Sequence, residues 1–313
     1  MNKTRILCTC PPMIRQIESL RSAFTAREAE VICPQFEQTL SVSELLELVP
    51  QFDGWIIGDD PATAEVFAAG AAGRLRAAMK WGAGTDNVDF KGAEAAGIPI
   101  TNTPGTFGEP VSDVALGYLY TLARSLIQID RGVRKGQWPK PTGMVLSGKA
   151  VALVGLGHIG RTIAQKLITL GFRVIAYDPF APADAVSGAD RAVWPQRLEE
   201  ADFVLLACAL TTDNRHLINA DTLGRTKQGV FLINVGRGPL IDEAALADAL
   251  EREQVAGAAL EVMEVEPLPI NSPLRNFEQV VFGSHNSSNA LEAVIATSEV
   301  AIEQLFAYLA DAP

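Results

Sequence analysis

The hydrophobic positions of this chain come in short apolar runs separated by longer stretches in which apolar residues recur at helical spacing. Arg5–Cys10, Glu30–Cys33, Gly54–Gly58 and Arg76–Trp81 have the length and character of strands, and the segments between them, SVSELLELV and TAEVFAAGAAGRLRAAM among them, carry helical periodicity. The alternation resumes later at Val151–Val154, Arg173–Tyr177, Asp202–Cys208, Val230–Val235, Val255–Leu260 and Gln279–Gly283. Strand and helix in strict alternation predict an α/β fold with parallel sheets flanked by helices. Between the two series, Asn102-Thr103-Pro104-Gly105 breaks the pattern, and Val111–Arg134 reads as one long helix with apolar residues at Leu116, Leu119, Leu122, Leu126 and Ile127. Apolar character on more than one face of that helix predicts burial on more than one side, as in a core that is also a subunit interface.

The stretch Lys149–Asp178 fixes the second series most sharply. Gly155, Gly157 and Gly160 form G-x-G-x-x-G between an apolar strand and a helix striped by Ile163, Leu167, Ile168 and Leu170. Gly155 permits a sharp turn, Gly157 lets backbone approach a pyrophosphate, and Gly160 lets the helix pack on its strand. Gly171 ends the helix, and Asp178 follows the second strand, 18 residues beyond Gly160. That is close to the roughly 20 residues expected for a carboxylate on the adenosine ribose. Lone glycines also mark ordinary turns, but the whole context favours a dinucleotide. A Walker loop is excluded, because Gly160-Arg161-Thr162 lacks both the lysine and the spacing.

Two Rossmann-like domains follow: residues 1–101 as a flavodoxin-like substrate domain completed by a C-terminal helix at 289–313, and residues 102–288 as the dinucleotide domain. The last segment, Ser288–Ala312, reads as a helix that packs back on the N-terminal domain, with the active site expected in the interdomain cleft. The 313 residues suffice for two domains, and 48% hydrophobic against 20% charged residues describe a globular protein. A net charge of −11 disfavours nucleic acid as a partner. The start has no apolar core of signal-peptide length, and no uncharged apolar run reaches about 18 residues, so a cytoplasmic protein without a membrane partner is expected. Cys8, Cys10, Cys33 and Cys208 lie in or beside strand-like runs and read as reduced thiols. Cys8-Thr9-Cys10 lacks a second ligand pair, so no metal site is expected.

A dinucleotide with no metal or flavin signal points to hydride transfer, which needs a proton carrier and a cation for the substrate. Of three histidines, His158 lies in the phosphate loop and His216 follows TTDNR, while His285 follows the apolar run VVFG, where ligands of open α/β folds bind. A purely structural His285 stays open. Arg237 stands between Gly236 and Gly238 at another strand end, suited to a carboxylate or else paired with Asp242. Glu261, Glu264 and Glu266 form an acidic cluster, either solvated or supplying a partner for His285. Gly82 and Gly84 leave an amide turn after a strand that holds an anion or merely starts a helix capped by Asp86.

GAGTDNVD, NTPG, VGLGHIGRTIAQKL, AYDP, LTTDNRHLI, INVGRGPLIDEAAL and ALEVMEVEPLP stand in the order in which the D-isomer-specific 2-hydroxyacid dehydrogenase family carries similar pieces. From about Lys80 onward the chain resembles that family, which includes phosphoglycerate, D-lactate and glyoxylate/hydroxypyruvate enzymes. The resemblance implies an NAD-dependent interconversion of a D-2-hydroxy acid and its 2-keto acid. It implies Arg237 on the substrate carboxylate and carbonyl, His285 as acid/base, Glu266 paired with His285, and the Ala83-Gly84 amides on the carboxylate. It implies Gly155, Gly157, His158, Ile159, Gly160, Asp178, Val235 and Gly236 around NAD, while the apolar faces of the helix 111–134 lead to the expectation of a homodimer built through it. Glu261 stands where the family usually has the Asp that touches the nicotinamide amide. His285 sits in GSHNSSNA instead of after proline, and Ser112-Asp113 replaces the common Ala-Glu. Phosphoglycerate enzymes commonly offer arginine near Gly58-Asp59-Asp60, where this chain is acidic, which disfavours a phosphorylated substrate. The other class of function is a redox-sensing regulator or corepressor that binds NAD without turnover, and an intact Arg, Glu and His trio favours the enzyme.

Overall fold

Two separate parallel sheets organise the chain, which divides into the units Met1–Phe107 with Asn289–Pro313, and Gly108–Ser288. The computed structural model describes residues 3–36 and 39–311.

The first unit runs β1 (Thr4–Cys8), α1 (Pro11–Arg15), α2 (Ile17–Thr25), β2 (Ala29–Ile32), α3 (Val42–Leu48), β3 (Gly54–Ile57), α4 (Ala64–Ala72), β4 (Ala77–Lys80), α5 (Phe90–Ala95) and β5 (Ile100–Asn102). Its strands pair in the order β2-β1-β3-β4-β5. All of β3 and β4 is buried, because helices cover both faces of the sheet. Trp55, Phe67, Leu7 and Leu45 fill one side, and truncating any of them to alanine would cost about 2–5 kcal/mol. A capping box starts α3, with Ser41 accepting from the Glu44 N–H while the Glu44 carboxylate accepts from the Ser41 N–H. β5 falls partly in the stretch expected to break the pattern. It is an edge strand of three residues ordered by pairing with β4, Ala78 opposite Ile100, so tertiary context overrides the local turn signal.

The C-terminal helix, Leu291–Asp311, belongs to this first unit. Val294, Ala301, Ile302, Leu305 and Leu309 are buried, and Trp81 donates its indole N–H to the Ser298 hydroxyl at 3.0 Å. By length and composition it is apolar enough to cross a membrane, but this buried stripe already accounts for its apolar face. The expected helix end at Ala312, with Pro313, lies outside the described residues.

The second unit contains α6 (Gly108–Arg124), α7 (Leu126–Arg134), β6 (Ala150–Val154), α8 (His158–Thr169), β7 (Arg173–Tyr177), β8 (Asp190–Arg191), β9 (Phe203–Leu206), α9 (Ala220–Gly224), β10 (Val230–Asn234), α10 (Glu243–Glu251), β11 (Val255–Leu260) and β12 (Val280–Phe282). The sheet order is β12-β11-β10-β9-β6-β7-β8. Strand order reverses between β6 and β9, so the loop after β6 lies at the switch point where such sheets bind ligands. The expected single helix over 111–134 is two helices. Ser125 adopts φ +52, which ends α6, and the N–H of Met144 satisfies the Ala123 carbonyl near the break at 3.1 Å. Apolar periodicity runs through Ser125 unchanged, so the pattern gives no sign of a one-residue excursion. Leu119 and Leu122 are buried, while Tyr120, Leu126 and Val133 remain exposed.

Asp202 ties the start of β6 to β9. It accepts from the Ala150 N–H at 3.0 Å and from Lys227 at 2.6 Å. Burial opposes its ionisation, but these donors and the Lys227 and Lys149 charges hold the carboxyl below the usual carboxylate range. A carboxyl lowered on folding contributes stability that is fully present above its unfolded value, about 3.9, and is lost as pH falls through the folded value. Asp202→Asn is therefore expected to cost about 1–2 kcal/mol in urea unfolding at pH 7. The difference from the parent should narrow once the pH drops below about 4. An offset that stayed constant with pH would show that the charge is not what matters.

Candidate active site

The glycine loop after β6 shows three different reasons for glycine. Gly155 has φ +97, and a Cβ there would press on the Cys208 backbone N at 2.7 Å. At Gly160 a Cβ would overlap the Gly155 carbonyl oxygen. Both are required by the protein's own packing. Gly157 is not: a Cβ built there meets nothing within 4 Å. It is the N-cap of α8 and makes no side-chain capping bond, so the first turn presents N–H groups to open space. That space suits the phosphates of a dinucleotide. His158 and Ile159 begin the helix, and the His158 ring lies against Gly108, where a Cβ would come within 2.5 Å of it.

Asp178 follows β7 and reaches back to this loop. Its carboxylate accepts from the Leu156 N–H at 2.7 Å, and from the N–H groups of Phe180 and Ala181 at 2.8 and 3.0 Å. Burial works against its ionisation, but the three backbone donors and the Arg191 charge prevail, leaving the carboxyl below its ordinary range. Each carboxylate oxygen accepts about two hydrogen bonds, so one site remains for a ribose hydroxyl, on the oxygen that takes Leu156. Arg191, distant in sequence, donates to the carbonyls of Asp178 and Ala181. A cation therefore lies closer to this loop than the spacing suggests, although Nη2 points at those carbonyls.

The next two strand ends carry Arg237 and the acidic cluster. Buried Asn234 accepts the Gly236 N–H at 3.0 Å and donates to the Arg237 carbonyl at 2.9 Å, which fixes the turn, and Val235 is held by the Leu206 carbonyl at 3.0 Å. The Arg237 guanidinium donates to the Gly236 carbonyl at 2.9 Å. Asp242, the alternative partner for Arg237, caps α10 by accepting from Ala244 and Ala245. At Gly238 a Cβ would collide with the Met263 carbonyl, so the glycine lets the Arg237 turn press against the 261–266 loop.

The three glutamates of that loop have separate partners. Glu266 accepts from the Met263 N–H at 3.0 Å, and its other oxygen lies 2.8 Å from Nδ1 of His285. Glu264 lies 2.5 Å from Nε2 of His216, so His216 is spent on the loop. Glu261 is buried and holds the Tyr118 hydroxyl and the N–H groups of Asn286 and Ser287. The contact of Glu261 with a nicotinamide amide, implied by the resemblance, thus competes with three donors from the protein itself. Arg237, Glu266 and His285 follow the adjacent strands β10, β11 and β12, which places all three at the carboxyl end of one sheet. Tyr118 and Asn234 were not expected at the site. Tyr118 is 143 positions from Glu261, and nothing in its helix marks it.

In the first unit, Ala83 and Gly84 lie in the turn after β4, where Gly82 has φ +126 and donates to the Thr103 hydroxyl at 2.7 Å. Asn102 donates to the carbonyl of Ala83 at 3.1 Å. Asp86 is not a helix cap: α5 begins later, capped by Asp89, which accepts from the Gly92 N–H at 2.8 Å.

Residues 116–287 match the family model described as D-isomer specific 2-hydroxyacid dehydrogenase, NAD binding domain. A glyoxylate reductase of Korarchaeum cryptofilum is 36% identical over 257 residues, covering 80% of this chain and 77% of that protein. A hydroxypyruvate reductase of Thermotoga maritima is 30% identical over 294 residues, covering 92% and 94%. The crystal structure of the TT0316 protein from Thermus thermophilus superposes with a TM-score of 0.88 at 31% identity, over 99% and 98% of the two chains. An open helix N-terminus at Gly157 and a histidine-carboxylate pair on the same sheet suit hydride transfer to a carbonyl, and the chain belongs to the D-isomer-specific 2-hydroxyacid dehydrogenases, NAD-dependent oxidoreductases that interconvert a D-2-hydroxy acid and its 2-keto acid.

Proposed function

We propose that this chain reduces a short, unphosphorylated 2-keto acid of the glyoxylate or hydroxypyruvate class with NADH, using Arg237, Glu266 and His285. The observation that carries the reading is the 2.8 Å contact between Glu266 and Nδ1 of His285. A carboxylate there favours the imidazolium and orients the ring. Protonated His285 then gives its proton to the carbonyl oxygen as C2 is reduced, and neutral His285 takes it back in the reverse direction. Arg237 offers a planar fork that matches the substrate carboxylate. The bound nicotinamide supplies or accepts the hydride. His158, Ile159, Val235 and Gly236 would hold the cofactor beside the glycine loop, and Asp178 would accept from a ribose hydroxyl.

Against a phosphorylated substrate stands the acidic character of the β3 end. Asp60 is fully buried, and burial raises its carboxyl above the usual range. The nearby cation, Lys80, is held by the Gly58 carbonyl at 2.5 Å and by Asp59 at 3.2 Å. Two copies pairing through α6 and α7 would cover exposed Tyr120, Leu126 and Val133, and the same reading places the protein in the cytoplasm, where its free cysteines stay reduced. A regulator that binds the cofactor without turnover is disfavoured by the assembled histidine-glutamate pair.

NADH consumption against a panel of 2-keto acids tests the reading. Glyoxylate, hydroxypyruvate or pyruvate is expected to turn over, and a strong preference for 3-phosphoglycerate in the oxidative direction would overturn the choice of substrate. The pH dependence follows from the histidine. Reduction needs the protonated ring, so it is expected to fall as pH rises through the His285 pKa while oxidation rises. Removing the neighbouring charge in Glu266→Gln should move both profiles to lower pH, and unshifted profiles in an active variant would show that the pair is uncoupled. Cofactor choice rests on Asp178, which would repel a 2′-phosphate. The parent should prefer NADH to NADPH, and Asp178→Ser should narrow that preference by weakening NADH and relieving NADPH. Equal use of both cofactors by the parent would remove Asp178 from the ribose.

A further inference from the structure

We propose that Tyr118 and Glu261 are a positioning pair that sets the acid/base histidine, and that Glu261 serves the His285 loop instead of the nicotinamide amide. The inference rests on the reading of His285 as the proton carrier. Glu261 directly follows β11, and only 2% of its surface is exposed. Its backbone carbonyl accepts the His285 N–H at 2.8 Å. Its carboxylate accepts the next two, from Asn286 and, at 2.6 Å, from Ser287. Three successive amides therefore converge on one residue. Such a concave run of N–H groups needs a residue in the left-handed region, and His285 supplies it with φ +55.

A histidine in that conformation is strained and persists only where its surroundings impose it. Here the buried carboxylate imposes it. The carboxylate in turn has left water and needs donors on both oxygens. One oxygen takes the two amides, and the other takes the Tyr118 hydroxyl from α6. Burial, followed by the hydrogen bond and charge of Glu261, raises the tyrosine far above its ordinary range, so it remains a donor at every working pH. The end of β12 is shaped to admit the pair, because a Cβ at Gly283 would overlap both the Glu261 carboxylate and the Tyr118 hydroxyl. Side-chain length matters as well. An aspartate at 261 would reach about 1.5 Å less far, one carbon-carbon bond, and could not meet both the amides and the tyrosine.

Two variants test this: Tyr118→Phe, which keeps the ring and removes one donor, and Glu261→Asp, which keeps the charge and shortens the arm. Each is measured for kcat in 2-keto acid reduction, per site counted by NADH-binding stoichiometry, and for NADH Kd by fluorescence. Both are expected to lose about tenfold in kcat while NADH Kd stays within about twofold, since the misplaced group moves a proton and does not hold the cofactor. The proposal is overturned if Glu261→Asp keeps its kcat, or if it instead weakens NADH tenfold or more, which would make Glu261 a cofactor ligand. It is also overturned if Tyr118→Phe turns over like the parent. A parent that reduces no 2-keto acid overturns the reductase reading and this inference together, whereas an active parent with unaffected variants overturns this inference alone.

Discussion

A parallel sheet leaves the loops at its carboxyl ends with backbone N–H groups that neither strand nor helix satisfies, and in the Gly108–Ser288 unit side-chain carboxylates meet much of that need. Asp178 gathers the amides of Leu156, Phe180 and Ala181, and thereby joins the glycine loop to the end of β7. Glu266 takes the Met263 amide and faces His285 with its other oxygen. Glu261 takes two amides beyond β12. Charge-assisted bonds of this kind are roughly twice as strong as neutral ones, so a few acidic side chains order loops that carry little apolar surface of their own. Much of the chain's acidity near these strand ends is thus structural.

The acidic loop also shows how identical side chains acquire different roles. Glu261, Glu264 and Glu266 lie within six residues, and the sequence treats them as one cluster. What separates them is the element each one faces: a tyrosine and an amide nest for the first, His216 for the second, His285 for the third. Glu264 is further locked to α10, since its N–H donates to Glu243 at 2.8 Å. Holding the middle residue fixes the exits of the other two, so the geometry of Glu266 depends on contacts that do not touch it.

Periodicity made the strands and most helices legible, because burial on both faces of a parallel sheet forces continuous apolar runs that alternate with helical ones. The glycine loop was legible because two of its glycines answer local packing demands and the third leaves a helix N-terminus open, all at fixed spacing. Ser125 was not legible, since one left-handed residue leaves the apolar period intact on either side. β5 was hidden because its order comes from β4 and not from its own residues. At the site, Arg237 and His285 stood out by residue type at strand ends, whereas only the resemblance separated Glu266 from Glu261 and Glu264. Tyr118 and the two-sided engagement of Glu261 depend on α6 packing against β10 and β11, a relation between distant segments to which local spacing is blind.

The same carboxylates bound the conditions under which the site works. On the proposed reading, proton delivery by His285 favours low pH, but the loops of this unit are held by carboxylates that low pH would neutralise. The two demands conflict only where their titrations overlap. Asp178 and Asp202 are both held below the ordinary carboxylate range by the donors they serve, so the scaffold keeps its charge well into the acid region. Tyr118 is raised, so its donor persists on the alkaline side. Asp178 and Asp202 are therefore displaced downward and Tyr118 upward, both away from neutrality.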